Sequence, residues 1–93
     1  MMATEDQGQL EKAKAEQIIA ETPLMDGING VTVELGEDHT GDPAMWLIFQ
    51  MQPGVNPTDV WLQRFNEFSG KLGLKLIDSG LTRFPYTRLR NAA

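Results

Sequence analysis

Residues 44–51, Ala-Met-Trp-Leu-Ile-Phe-Gln-Met, are apolar on both parities of an extended chain: Met45, Leu47, Phe49 and Met51 on one side, Trp46 and Ile48 on the other. Successive side chains of a strand point to opposite faces. A strand that is apolar on both is either central in a sheet or covered on its second face by a partner. The fold must therefore be built around this segment.

The segment before it supplies a neighbour. Val31, Val33 and Leu35 alternate with Thr32 and Glu34, the period of a strand with one buried face. Between the two runs lies Gly36-Glu-Asp-His-Thr-Gly-Asp-Pro43, whose turn-forming composition predicts an antiparallel hairpin.

Helices flank the hairpin on both sides. Residues 9–21 are rich in Ala, Gln, Glu, Lys, Leu and Ile, and Lys12 and Glu16 stand at i,i+4, which predicts a helix ending where Thr22 precedes Pro23. A second helix is punctuated by Asn56 as N-cap, Pro57 at the first helical position and Asp59 in the first turn. Trp61, Phe65, Phe68 and Leu72 then form a stripe aimed at the sheet, and Gly73 is a candidate C′ residue. Residues 74–78 read as a short strand, Ser79-Gly80 as a turn, and residues 86–90 as a last strand near whose start Pro85 stands, a residue confined to an edge or a first position.

The expected architecture is α+β: helix, β-hairpin, helix and C-terminal strand or strands, with a small antiparallel sheet carrying its helices on one face. Ninety-three residues hold one core, so residues 1–93 form a single domain, with residues 1–8 as a flexible lead. A chain this short gains stability from a second subunit, and Trp46 and Ile48 on the second sheet face point to a homodimer.

Composition excludes several functions. The absence of cysteine removes disulfides, thiolate zinc sites and thiol catalysis together. The apolar run 44–49 is too short for a membrane span, and no apolar stretch of signal-peptide length follows the acidic start, which predicts a cytoplasmic protein. Residues 1–59 carry −9 and residues 60–93 carry +4. The acidic balance disfavours nucleic acid as a partner, because phosphate neutralisation dominates that affinity.

Two clusters could carry chemistry or binding. The acidic loop holds Glu37, Asp38, His39 and Asp42. Glu37, Asp38 and Asp42 are the hard oxygen donors that Mg²⁺ or Ca²⁺ would require, with His39 as a base, and that is the basis for an alternative reading as a small metal-dependent hydrolase or nuclease. The EF-hand pattern fails, because Pro43 stands at the glycine position and Phe49 at the bidentate glutamate. Asp and Thr side chains capping their own loop backbone explain the same residues without a ligand.

The last strand places Tyr86, Arg88 and Arg90 on one parity with Arg83 nearby, a stripe suited to an acidic partner, a phosphate or the protein's own acidic loop. A nucleic-acid reading requires Arg83, Arg88 and Arg90 to be exposed together. Neither serine lies in a nucleophile-elbow pattern, and no glycine loop suited to phosphate is present, so no catalytic residue and no cofactor is assigned.

The run Gly36-Glu37-Asp38-His39-Thr40-Gly41-Asp42-Pro43-Ala44 and the closing Pro85-Tyr86-Thr87-Arg88-Leu89-Arg90 resemble a group of small uncharacterised bacterial proteins over residues 28–90. The resemblance implies paired signatures, a GED-x-TGDPA hairpin and a PY-x-R strand, and an accessory place beside toxin–antitoxin or mobile-element genes. The expected function is a nonenzymatic protein–protein interaction module, with Glu37, Asp38, His39, Asp42, Tyr86, Arg88 and Arg90 as binding candidates and an unidentified protein partner.

Overall fold

The computed structural model describes residues 3–91, with side chains from Gln7 onward. The chain runs α1 (Ala3–Ala20), β1 (Ile28–Glu37), β2 (Pro43–Met51), α2 (Asp59–Asp78) and β3 (Phe84–Arg90). This is the α+β order expected. The sheet order is β1-β2-β3, so the doubly apolar strand is central.

β1 and β2 pair antiparallel, with Val33 opposite Leu47 and Glu34 opposite Trp46. β3 pairs with β2 in parallel, with Tyr86 opposite Trp46. The sheet is therefore mixed where a wholly antiparallel one was expected, and the cause is the length of α2. A parallel neighbour needs a long crossover, and α2 supplies it by running through Gly73 and residues 74–78, a stretch whose sequence predicts a short strand. Phe65, Ser69, Leu72 and Leu76 continue one buried stripe, and their burial outweighs the roughly 1 kcal/mol cost of a glycine in a helix.

The caps follow from the same extension. Thr58, two residues beyond the expected Asn56, accepts a hydrogen bond from the Trp61 amide at 3.2 Å. Ser79 closes the far end, and Gly80 at φ +99° takes the left-handed conformation that terminates the helix.

Both helices pack on the Val33, Met45, Leu47 and Phe49 face, where Phe49 meets Phe65 edge-on at a centroid distance of 5.0 Å. α1 contributes Ala15 and Ile19, and it starts at Ala3 rather than Gln9. Residues 3–8 are thus helical here, Gly8 is buried, and Met1 and Met2 lie outside the described residues.

Glu11, only 8% exposed, reaches from α1 to the α2–β3 loop. Its carboxylate accepts from the Thr82 amide at 3.0 Å, the Arg83 amide at 3.2 Å and the Thr82 hydroxyl. Those bonds fix the loop that sets where β3 begins.

Candidate functional site

With both helices on one face, the even-numbered side chains of the strands line the other, except Ile28, which a register shift before Gly30 turns into the core. Phe84, Tyr86, Arg88 and Arg90 of β3 lie in register with Ala44, Trp46, Ile48 and Gln50 of β2. Adjacent strands lie about 4.8 Å apart, a spacing that lets rings in register stack. Trp46 and Tyr86 do so, with centroids 5.0 Å apart and planes at 28°. Phe84 packs edge-on against Tyr86 at 4.9 Å, and the Arg88 guanidinium carbon sits 4.7 Å from the centre of the Trp46 ring. The guanidinium is held by the negative ring face.

Gly36 of β1 lies beneath this cluster. A Cβ there would stand 3.4 Å from Trp46 Cδ1 and 3.5 Å from its Nε1, ordinary contact distances, so the indole lies directly over this residue of β1. Ile48, expected to present apolar surface, is only 2% exposed and lies in register between Thr32 and Arg88. It offers nothing to a second copy.

The acidic loop is organised by Asp38. Its Oδ1 accepts from the Thr40 amide at 2.8 Å, the Thr40 hydroxyl at 2.6 Å and the Asp42 amide at 3.1 Å, while Gly41 takes φ +89° to close the turn. Its Oδ2 accepts from the Tyr86 hydroxyl at 3.1 Å. The structure therefore joins the two sequence clusters through Asp38 and Tyr86 rather than through an arginine.

Glu37, His39 and Asp42 stay exposed, as do Arg88 and Arg90. Among the described residues no three acidic or histidine side chains converge as metal ligands would, so Glu37, Asp38 and Asp42 do not assemble the centre a hydrolase would need. Arg83 is half-buried and donates to the Gly36 and Ala44 carbonyls, each at 3.0 Å. It braces the loop end of the hairpin, and the exposed three-arginine patch does not form.

The Thr40 hydroxyl is the largest influence on Asp38, outweighing partial burial; with the amides and Tyr86 it lowers the carboxyl pKa to about 2. The same bond acts on Tyr86 in the opposite sense: donating to Asp38 favours the neutral phenol and raises its pKa above the ordinary 10.0. Because this is the single tyrosine, ultraviolet titration reads it directly. A midpoint above 10 in the parent chain, falling back toward 10 in Asp38→Asn, is the expected result. Equal midpoints in the two proteins would contradict the bond.

Sequence reasoning missed Phe84, the inward use of Arg83 and the anchoring role of Glu11. Extending the parity of Tyr86, Arg88 and Arg90 back past Pro85 reaches Phe84, so that residue was within reach. Among the described residues no helix is long and apolar enough to cross a membrane. No family model, curated protein or solved structure matches the chain.

Proposed function

We propose that this chain is a nonenzymatic protein-interaction module that uses its open sheet face to hold a partner segment bearing acidic and apolar side chains. The observation that carries the reading is the Trp46–Tyr86–Arg88 cluster on the face the helices leave uncovered. Aromatic residues and arginine are enriched in the cores of interfaces, where rigid rings give contact area at little entropic cost.

Asp38 holds Tyr86 upright from the hairpin, and Arg88 and Arg90 give the β3 side of the face a positive charge that selects an acidic partner. Serine nucleophiles lend no support to a catalytic reading, since Ser69 and Ser79 donate to carbonyls of their own helix. An accessory place beside a toxin–antitoxin or mobile-element system, implied by the sequence resemblance, suits a module of this kind.

The test is fluorescence anisotropy with a labelled peptide of alternating glutamates and leucines. Three comparisons accompany it: a lysine-for-glutamate counterpart, a single-stranded oligonucleotide of equal charge, and the Arg88→Glu protein. The glutamate peptide binds tightest, salt weakens it, and Arg88→Glu loses about tenfold or more, a loss of about 1.4 kcal/mol. Preference for the lysine peptide or the oligonucleotide, or indifference to Arg88→Glu, overturns the reading.

A further inference from the structure

The outer edge of β3 takes no part in the open face. α2 lies beside it and leaves a groove of about 210 Å³ bordered by Gly70, Gly73, Leu74, Ile77, Pro85 and Thr87. Leu74 is 62% exposed, Ile77 39% and Phe84 55%, so apolar side chains flank a strand edge with no pairing strand among the described residues. Such an edge is a template for another strand. A Cβ at Gly70 would meet nothing within 4 Å, so packing inside this chain gives no reason for a glycine that weakens the helix. A second backbone approaching the groove would give one.

We infer that β3 is the seam of a homodimer, pairing antiparallel with β3 of a second copy about a two-fold axis at Thr87 and joining two three-stranded sheets into one. The sequence of the strand selects this occupant and this register. Thr87 is the middle residue of Phe84–Arg90. Reflection about it sets Phe84 of one copy opposite Arg90 of the other, and Tyr86 opposite Arg88. Both arginines of the strand then meet an aromatic ring across the seam. On the helix side Pro85 meets Leu89, and Thr87 meets itself.

Moving the axis to Arg88 or Leu89 sets arginine against arginine, which is destabilising for residues directly opposite. Proline is tolerated in a strand where its missing N–H would face away from the ladder. Pro85, Thr87 and Leu89 share one parity, so a Pro85 that spares the β2 ladder its missing N–H puts the backbone groups of all three on the free edge. In the seam Thr87 exchanges both bonds with Thr87, and the Pro85 carbonyl accepts from the Leu89 amide; the Leu89 carbonyl, opposite a residue with no N–H, is left to water, so each Pro85–Leu89 pair contributes one bond rather than two.

The inference goes beyond the proposed function, and it holds whether or not the open face binds a peptide. It also places the two rows of rings and arginines side by side in the middle of one continuous face.

The chain contains no cysteine, so an introduced thiol is unique. Thr87→Cys and Thr32→Cys, the latter an exposed position on β1, are each treated with a short bismaleimide while light scattering gives the mass of the parent chain and of Thr87→Asp. The expected results are a parent species of twice 10.4 kDa, crosslinking at residue 87 at least about tenfold above that at residue 32, and a dissociation constant raised about tenfold by Thr87→Asp with an unchanged circular dichroism spectrum. A parent chain monomeric at millimolar concentration, a dimer crosslinked at residue 32 instead of 87, or a dimer indifferent to Thr87→Asp overturns the seam. Peptide binding is scored separately, so loss of one result leaves the other standing.

Discussion

Gly27→Ala is expected to lower the stability of the domain by about 3 kcal/mol, the sum of left-handed backbone strain and a displaced indole hydrogen bond. For a chain of this length that is a fall of roughly 12–24 °C in Tm by calorimetry. Gly27 holds φ +95°, a conformation that side chains with a Cβ rarely adopt, and a Cβ there would lie 2.6 Å from Trp61 Nε1. That indole nitrogen donates to the Asp26 carbonyl at 3.2 Å, and its ring stacks on Phe65 at 5.7 Å with planes only 3° apart. The methyl group must therefore move a side chain that links the α1–β1 connection to the core stripe of α2. A Tm within a few degrees of the parent would show that the turn and the indole are not coupled.

Glu11→Ala is expected to cost about 2–4 kcal/mol, because the Thr82 and Arg83 amides lose a charged acceptor in a nearly buried position. The pH dependence distinguishes this cause from simple loss of packing. Burial is the largest single influence on the carboxyl and raises its pKa, but the hydrogen bonds from the Thr82 hydroxyl, the Arg83 and Thr82 amides and Gln7 together outweigh it. The net pKa in the folded state is lowered from 4.5. A lowered folded-state value means the contribution is complete above the unfolded value and is lost as pH falls through the folded one. The gap in stability between the parent and Glu11→Ala therefore narrows below about pH 4.5. A gap that is constant from neutral pH into acid would assign the loss to packing alone.

The pattern of residues 44–51 was sufficient to place the central strand, because a two-sided apolar run has few other uses. The hairpin was equally legible from alternation and turn chemistry. The end of α2 was not. Gly73 reads locally as a stop, and only the contact of Leu76 with the core, which depends on the sheet being present, shows that the helix continues.

α1 hid its inner face for a related reason. The residues it turns inward are Gly8, Glu11, Ala15 and Ile19, and two of the four, a glycine and a glutamate, do not register as an apolar stripe. The antiparallel expectation for β3 has the same origin: a helix that stops at Gly73 leaves room for a strand after it and removes the long crossover that the observed parallel pairing requires.

The site was legible in its parts and not in its assembly. The acidic loop and the Tyr86, Arg88 and Arg90 stripe were each visible as local patterns, and the self-capping of Asp38 followed from loop chemistry. What joins them is a strand register: Tyr86 stands beside Trp46, and its hydroxyl reaches Asp38 from across the sheet. A register between strands so distant in sequence has no local signature. The same holds for Arg83, whose two carbonyl acceptors come from β1 and β2.

Mapping the glutamate–leucine peptide on the isotopically labelled chain by NMR tests the central claim most directly. The account predicts the largest shift changes at the Trp46 indole, the Tyr86 and Arg88 amides and the Arg88 guanidinium, with the helix-face residues Val33, Leu47 and Leu76 unmoved. Changes concentrated on the α1 and α2 surfaces or confined to the loop around His39, with the Trp46 signals unchanged, would contradict it.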